Sequence, residues 1–466
     1  MFTEPSRLSE FVGKMQAAGL SQAAIRAFGH NYQKLAVGDH GLLPETSIQP
    51  VQNLPRLQEI SRSGAIEPSL LAQVSVVKLN GGLGTSMGLE RAKTLLEVKD
   101  GLTFLDFIAR QMLWVRQRYG APVCFLLMNS FSTSGDTLKF LARYPELGPA
   151  ESLELMQNQV PKVDAGSLGP VSWPANPQLE WCPPGHGDLY PSLVGSGWLK
   201  RLLAAGRRFM FVSNADNLGA SLDLELLGFF AASGRPFLME VAERTAADRK
   251  GGHLAQRGDK LILREAAQCP EQDMPAFQDT TRHRFFNTNN LWIRLDALQA
   301  LLERHGGLVP LPLITNRKTV DPRDKKSPEV FQLETAMGAA IECFDGAGAV
   351  VVPRERFAPV KTTADLLAVR SDAYRVTEDW RLLLSRANVS PPTIDLEASH
   401  YKLVDQLTAA LVKGVPSLQA CRELVVRGPV AFRNDNVFIG RVSIKNPSAT
   451  RKEIAPGTYT DCEINL

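Results

Sequence analysis

The spacing of apolar positions along this chain changes twice, and each change marks a different kind of structure. Near the start, Leu8, Phe11, Val12, Met15 and Leu20 recur at roughly helical spacing, so residues 6 to about 35 are read as helical. Pro44, Pro50 and Pro55 then punctuate the chain. From about 70 to 370, short apolar runs alternate with amphipathic stretches. VSVVKLN (74–80), PVCFLLMN (122–129), FMFVSN ending at Asn214, RPFLMEVA (235–242), FNTNNLWI (286–293) and AVVVPRERF (349–357) predict strands, and TFLDFIARQMLWVRQRYG (103–120) predicts a helix. Strands alternating with helices imply an α/β fold with a mostly parallel sheet covered on both faces. In such sheets ligands bind beyond the carboxyl ends of the strands.

The second change comes after Leu424, where two apolar series run with a period of six: Leu424, Val430, Asn436, Val442, and Val426, Phe432, Phe438, Ile444. That period suits the stacked coils of a parallel β-helix, and a small meander is the alternative. SPPTIDLEAS (390–399) is read as the linker before it. The expected organisation is a helical segment over 1–60, a main domain over 61–385 and a C-terminal β domain over 386–466.

Composition narrows the class. With 466 residues, 44% of them hydrophobic and 22% charged, the chain can build two or three domains with a large core. A net charge of +3 with no block of Lys and Arg gives no sign of a nucleic-acid tail. The six cysteines include no CxxC pair, which argues against a disulfide frame or a zinc site. No stretch approaches about 18 consecutive apolar residues, and the first residues lack the basic and apolar pattern of a secretory signal. The expectation is a cytoplasmic protein with no membrane or nucleic-acid partner.

Five polar motifs follow the apolar runs. LNGGLGTSMG (79–88) has a backbone able to turn tightly and offer N–H groups to phosphate. It is neither a Walker A loop nor a dinucleotide fingerprint, whose third glycine would fall on Met87. Lys93 lies just beyond it, either as a phosphate-neutralising ammonium or as a plain surface lysine. FVSNADNLGA (211–220) sets Asp216 past a strand end, placed to hold Mg²⁺ or to cap the next turn. CPPGHGDLYPSL (182–193) presents His186 between glycines. FFNTNNLWI (285–293) carries amides suited to sugar hydroxyls. RERFAPVKTTADLL (354–367) gathers Arg354, Arg356 and Lys361 before a helix that Thr362 or Thr363 would cap.

Together these motifs, with DGLTFLDF (100–107), LMNSF (127–131), KGGHL (250–254) and QLETAMGAAIECF (332–344), resemble the eukaryotic-type UTP–glucose-1-phosphate uridylyltransferases over roughly residues 70 to 375. The resemblance implies a Rossmann-like α/β nucleotidyltransferase core followed by a left-handed β-helix. It implies Mg²⁺-dependent attack of glucose 1-phosphate on the α-phosphorus of UTP, releasing pyrophosphate. By the same resemblance, Leu79, Asn80, Gly81 and Gly82 contact the nucleotide, Gln157 and Gly185 read the uracil, and Asn214 and Ala215 lie along the nucleoside. Asp216 would bind the metal. His186, Glu265 and Asn289 would face the sugar phosphate, and Lys93 and Lys361 the reacting phosphates. This chain carries Arg91-Ala92 where the family usually has Gly-Pro before the lysine. A pyrophosphorylase for galactose or N-acetylglucosamine 1-phosphate is the nearer alternative, and a dinucleotide-binding oxidoreductase the remoter one. The oligomeric state is left open.

Overall fold

The computed structural model describes residues 7–60, 68–245, 248–386 and 390–466. At its centre is a ten-stranded sheet. Glu154–Met156, Cys124–Asn129, Val74–Asn80 and Phe209–Asn214 lie side by side and run parallel. Their register brings Asn129 opposite both Asn80 and Met156, and Asn214 opposite Leu79. The carboxyl ends of four strands therefore form one row of polar motifs.

Beyond Phe209–Asn214 the sheet departs from the parallel expectation. The long strand Phe285–Arg294 runs antiparallel to both Phe209–Asn214 and Phe237–Glu243. The latter then pairs in parallel with Gly348–Val351. The reason is the connection. Parallel neighbours need a crossover, usually a helix. Between Glu243 and Phe285 the chain instead forms the hairpin His253–Arg257 and Lys260–Arg264 and a helix of only five residues, Met274–Gln278.

Period-two alternation divides the core between the two faces. Val76, Phe125, Leu127, Phe211 and Trp292 point to one side, where Phe104–Tyr119, Leu224–Ser233 and Thr363–Arg370 cover them. Val77, Leu126, Met128, Val212 and Ile293 point to the other, under Leu189–Gly195, Trp198–Ala204 and Leu295–Arg304. Helix starts follow the sequence signals. Thr103 with Asp106 and Thr362 with Asp365 each form a reciprocal capping box.

The N-terminal segment is two helices, Leu8–Ala17 and Gln22–Ala36, not one. Gly19 at φ 74° breaks the first, and Ser21 caps the second by accepting from the N–H of Ala24 at 3.2 Å. Phe11, Met15, Ile25, Phe28 and Tyr32 pack on Val160, Val163, Cys182 and Leu333, beside the His186 loop.

At the C-terminus, Thr393–Leu396, Ser417–Arg427, Asn436–Lys445 and Gly457–Asn465 form a four-stranded parallel sheet, and Val430–Ala431 pairs in parallel with Lys452–Glu453. All eight positions of the two six-residue series are buried. The polar member, Asn436, donates to the carbonyl of Ala455 and accepts from the N–H of Arg433. One expectation needs correction here: the segment read as a linker holds Thr393–Leu396, the first strand of this sheet. The strands themselves form a stacked parallel sheet. The apolar interior of these strands is also continuous with the core under Thr363–Arg370. Asp372, just past that helix, accepts from Ser417 Oγ and from the backbone N–H groups of Leu418 and Gln419.

Candidate active site

A cavity of about 360 Å³ opens at the carboxyl ends of the parallel strands. Its wall contains Leu79, Asn80, Gly81, Gly82, Lys93, Gln157, Gly185, His186, Asn214, Ala215 and Asp216, drawn from three of the motifs together with Lys93 and Gln157. Thr94, Met128 and Pro183 complete the lining, and sequence reasoning did not single them out. Thr94 follows Lys93, and Met128 and Pro183 fall within the LMNSF and CPPGHGDLYPSL runs, which is the signal that would have found them. A larger cavity of about 600 Å³ lies elsewhere, between Lys34, Leu42, Arg257, Lys260, Arg304 and Asp345. It holds none of the residues expected at the site, and its Arg257 and Lys260 are paired with Glu342 and Asp345.

Backbone geometry builds the first wall. Gly84 and Gly88 sit at φ 70° and 78°, turning the loop back on itself. A Cβ on Gly81 would lie 2.7 Å from Oε1 of Gln157, so glycine is what lets that amide approach. Asn80 serves inside: its Nδ2 donates to Asn129 Oδ1 and Thr137 Oγ1, and its Oδ1 accepts from Thr94 Oγ1 at 2.7 Å. The side chain thus fixes the loop, and the backbone faces the cavity. The Arg91-Ala92 departure is harmless. Ala92 has φ −50°, within reach of a proline, and the N–H of Lys93 donates to the carbonyl of Gly82 at 3.1 Å.

The opposite wall joins two distant segments. Gln157 Nε2 donates to the carbonyl of Gly185 at 3.1 Å. Gly185 has φ 77°, and a Cβ there would meet the Thr335 carbonyl at 2.5 Å, so no other residue fits. Next to Gln157, Asn158 donates its backbone N–H and side-chain Nδ2 to the carboxylate of Asp188, clamping the two segments together. Burial raises Asp188 to about 6 despite those donors and Ser192.

His186 is held from behind. Its Nδ1 accepts from the N–H of Met337 at 2.9 Å, so the ring proton sits on Nε2. Burial lowers its pKa to about 4. A neutral N–H donor therefore lies at the cavity wall across the ordinary pH range. This also explains the QLETAMG segment, whose Thr335 and Met337 support the loop. The depressed pKa has a stability consequence. Unfolded His186 takes up a proton as pH falls below about 6.5, while the folded ring resists until about 4, so stability is lost across that window. Asp188, whose pKa is raised, works in the opposite sense. His186→Gln is expected to flatten the acid side of the stability curve relative to the parent, measured by urea unfolding between pH 4 and 7.

At the floor, Lys93 Nζ lies 2.6 Å from Asp216 Oδ2, both partly buried. Among the described residues no cluster of three or more His, Cys, Asp or Glu forms a metal cage. A single carboxylate at a strand end suits Mg²⁺, which takes one or two carboxylates and completes its shell with phosphate oxygens and water.

Three expected site residues lie off this wall. Burial raises the pKa of Glu265, and the charge of Lys361 opposes the rise, so these two share a neighbourhood. A Cβ on Gly252, in the KGGHL segment, would fall 2.5 Å from the Glu265 carboxylate. Lys361 Nζ lies 5.8 Å over the ring of Phe357 and makes no ion pair among the described residues. Asn289 adopts φ 58° and exchanges hydrogen bonds with Asn287. Of the three asparagines in FNTNNLWI, Asn287 and Asn290 are buried and only Asn289 is half-exposed, so of the three amides only that of Asn289 is open to a ligand.

The family model described as UTP–glucose-1-phosphate uridylyltransferase matches residues 25–439. This chain belongs to that family. Among curated relatives, the UTP–glucose-1-phosphate uridylyltransferase of Solanum tuberosum is 39% identical over 405 residues, covering 86% of this chain and 83% of its own. That of Saccharomyces cerevisiae is 40% identical over 394 residues, covering 84% and 78%. Among solved structures, a variant of the UDP-glucose pyrophosphorylase of Leishmania major in complex with UDP-glucose superposes with a TM-score of 0.95 at 47% identity, over 100% of both chains. A Trypanosoma brucei UDP-glucose phosphorylase gives 0.90 at 48%, over 99% of this chain and 100% of its own. Membership agrees with the mixed sheet and with the family resemblance of the motifs. No helix among the described residues is long and apolar enough to cross a membrane.

Proposed function

We propose that the cavity at the strand ends joins UTP and glucose 1-phosphate into UDP-glucose and pyrophosphate. The observation that carries the assignment is the convergence of the Gln157–Gly185 pair and the Lys93–Asp216 pair on one cavity. The first pair offers an amide and a peptide group to the edge of a uracil. The second offers an ammonium and a carboxylate where a triphosphate must lie. The glycine loop supplies backbone N–H groups between them.

In this reading a phosphate oxygen of glucose 1-phosphate attacks the α-phosphorus of UTP. The bond from that phosphorus to the bridging oxygen breaks, and its electrons leave with pyrophosphate. The reaction needs positioning and charge neutralisation and no covalent nucleophile. Asp216 would hold Mg²⁺ together with phosphate oxygens, and the ion would neutralise their charge. Lys93 and Lys361 neutralise the rest from the protein side. His186 donates its Nε2–H to the sugar phosphate, and Glu265 and Asn289 face the sugar. The C-terminal strands are read as a left-handed β-helix that steadies the helix following Lys361 through Asp372.

The test is pyrophosphate release from UTP across a panel of sugar 1-phosphates, repeated with CTP, ATP and GTP. Glucose 1-phosphate with UTP is expected to give the highest kcat/KM. A wrong base leaves buried polar groups unpaired, at about 1–3 kcal/mol each, so the other nucleotides are expected to fall at least about tenfold behind. Equal rates with ATP, or a higher rate with galactose or N-acetylglucosamine 1-phosphate, would overturn the assignment.

A further inference from the structure

We infer that Asn217 is a positioning residue that sets Lys361 against Asp216. The inference rests on the reading of Lys361 as a contact to the reacting phosphates. Asp216 and Lys361 come from segments far apart in the chain, and Lys361 has no carboxylate to anchor its ammonium among the described residues. Its place is therefore set by the backbone that carries it.

That backbone is fastened to the metal-side loop at three points. Asn217 is buried, and its amide acts like a short length of strand: Nδ2 donates to the carbonyl of Arg356 at 3.1 Å, and Oδ1 accepts from the N–H of Ala358 at 3.0 Å. Asn217 and Pro359 then form an isolated antiparallel bridge, and the N–H of Val360 donates to the carbonyl of Asp216 at 3.3 Å. The side chain of Asn217 thus extends the fastening back to Arg356 and Ala358, beyond the reach of the single backbone bridge. One residue therefore adjoins the metal carboxylate in sequence and grips the lysine segment in space.

The segment so gripped is rigid from its other side. Arg356 Nε and Nη2 donate to the two carboxylate oxygens of Glu240 at 2.7 and 2.8 Å. Glu240 is fully buried and also accepts from Asn290 Nδ2 and Trp292 Nε1. With four donors on two oxygens the carboxylate is saturated, which fixes the Arg356 side chain. Asn290 Nδ2 also reaches the Arg356 carbonyl at 3.3 Å. Small displacements of a reacting group are costly, of order 10²-fold in rate for about 1 Å.

A double-mutant cycle on kcat separates positioning from general support. Asn217→Ala is expected to lower kcat about 10–100-fold with little change in KM for UTP. In a Lys361→Ala background the same change is expected to cost less than about threefold, because the group it positions is gone. Thermal unfolding of each variant verifies the fold, and Asn217→Ser enters the same cycle if the alanine variant fails to fold. An equal loss in both backgrounds, or no loss in the parent, would overturn the proposal. An unchanged kcat in Lys361→Ala alone would instead remove Lys361 from the chemistry, and the proposal would fall with that reading.

Discussion

Asp216→Ala is expected to lower turnover by about 10²–10³-fold at saturating Mg²⁺, the range for loss of one preorganised electrostatic contact. Asp216 lies two residues past the end of the strand Phe209–Asn214, at the cavity and with its carboxylate 2.6 Å from Lys93. Among the described residues no other acidic cluster is available to take its place. The substitution removes a cation ligand and also leaves the Lys93 ammonium without its partner. Raising the metal concentration is not expected to restore the rate. Steady-state kcat with variants matched for folded fraction is the measurement, and near wild-type turnover would remove Asp216 from the site.

Lys361→Ala is the second large effect, expected at about 10²-fold in kcat with a smaller change in KM. As the α-phosphorus bond breaks, negative charge moves toward pyrophosphate. An ammonium placed for that charge stabilises the transition state more than bound UTP. The same split is expected for Lys93→Ala. Lys93 differs in being paired with Asp216 before any phosphate arrives, whereas Lys361 is free of ion pairs among the described residues. If KM for UTP rises while kcat holds, the lysine binds only the ground state.

Much of this site was legible in the sequence because it is built from contiguous motifs at strand ends. The run VSVVKLN marks a buried strand, and the glycines after it mark a loop that must approach something closely. Gln157 and Gly185 were placed only through the family resemblance. No local pattern says that an amide at 157 will bond a carbonyl at 185, since that contact depends on how two loops fold together. The NTNN amides show the limit most clearly. Asn290 faces inward, where the carboxylate of Glu240 takes it, while Asn289 is a left-handed residue at an irregularity within the strand. An asparagine beside an apolar run reads the same whether it faces a sugar or a buried carboxylate.

The fold divides in the same way. The six-residue series near the C-terminus located eight inward positions, because burial on one side of a stacked coil is a local repeat; Leu418, Cys421 and Ile454, also buried, lie outside it. The antiparallel strand Phe285–Arg294 was not visible, since strand direction depends on the connection and the apolar run is identical either way. The break at Gly19 was missed because helical spacing persists across it.

Where the nucleotide binds decides the function of the strand-end cavity. A crystal structure of this chain with UDP-glucose is the decisive measurement. The uracil is expected against Gln157 and Gly185, the diphosphate along Gly81 and Gly82 toward Lys93, and the glucose beside Asn289 and Glu265. A nucleotide seated in the cavity between Lys34, Arg257 and Arg304, with the strand-end cavity empty, would contradict it.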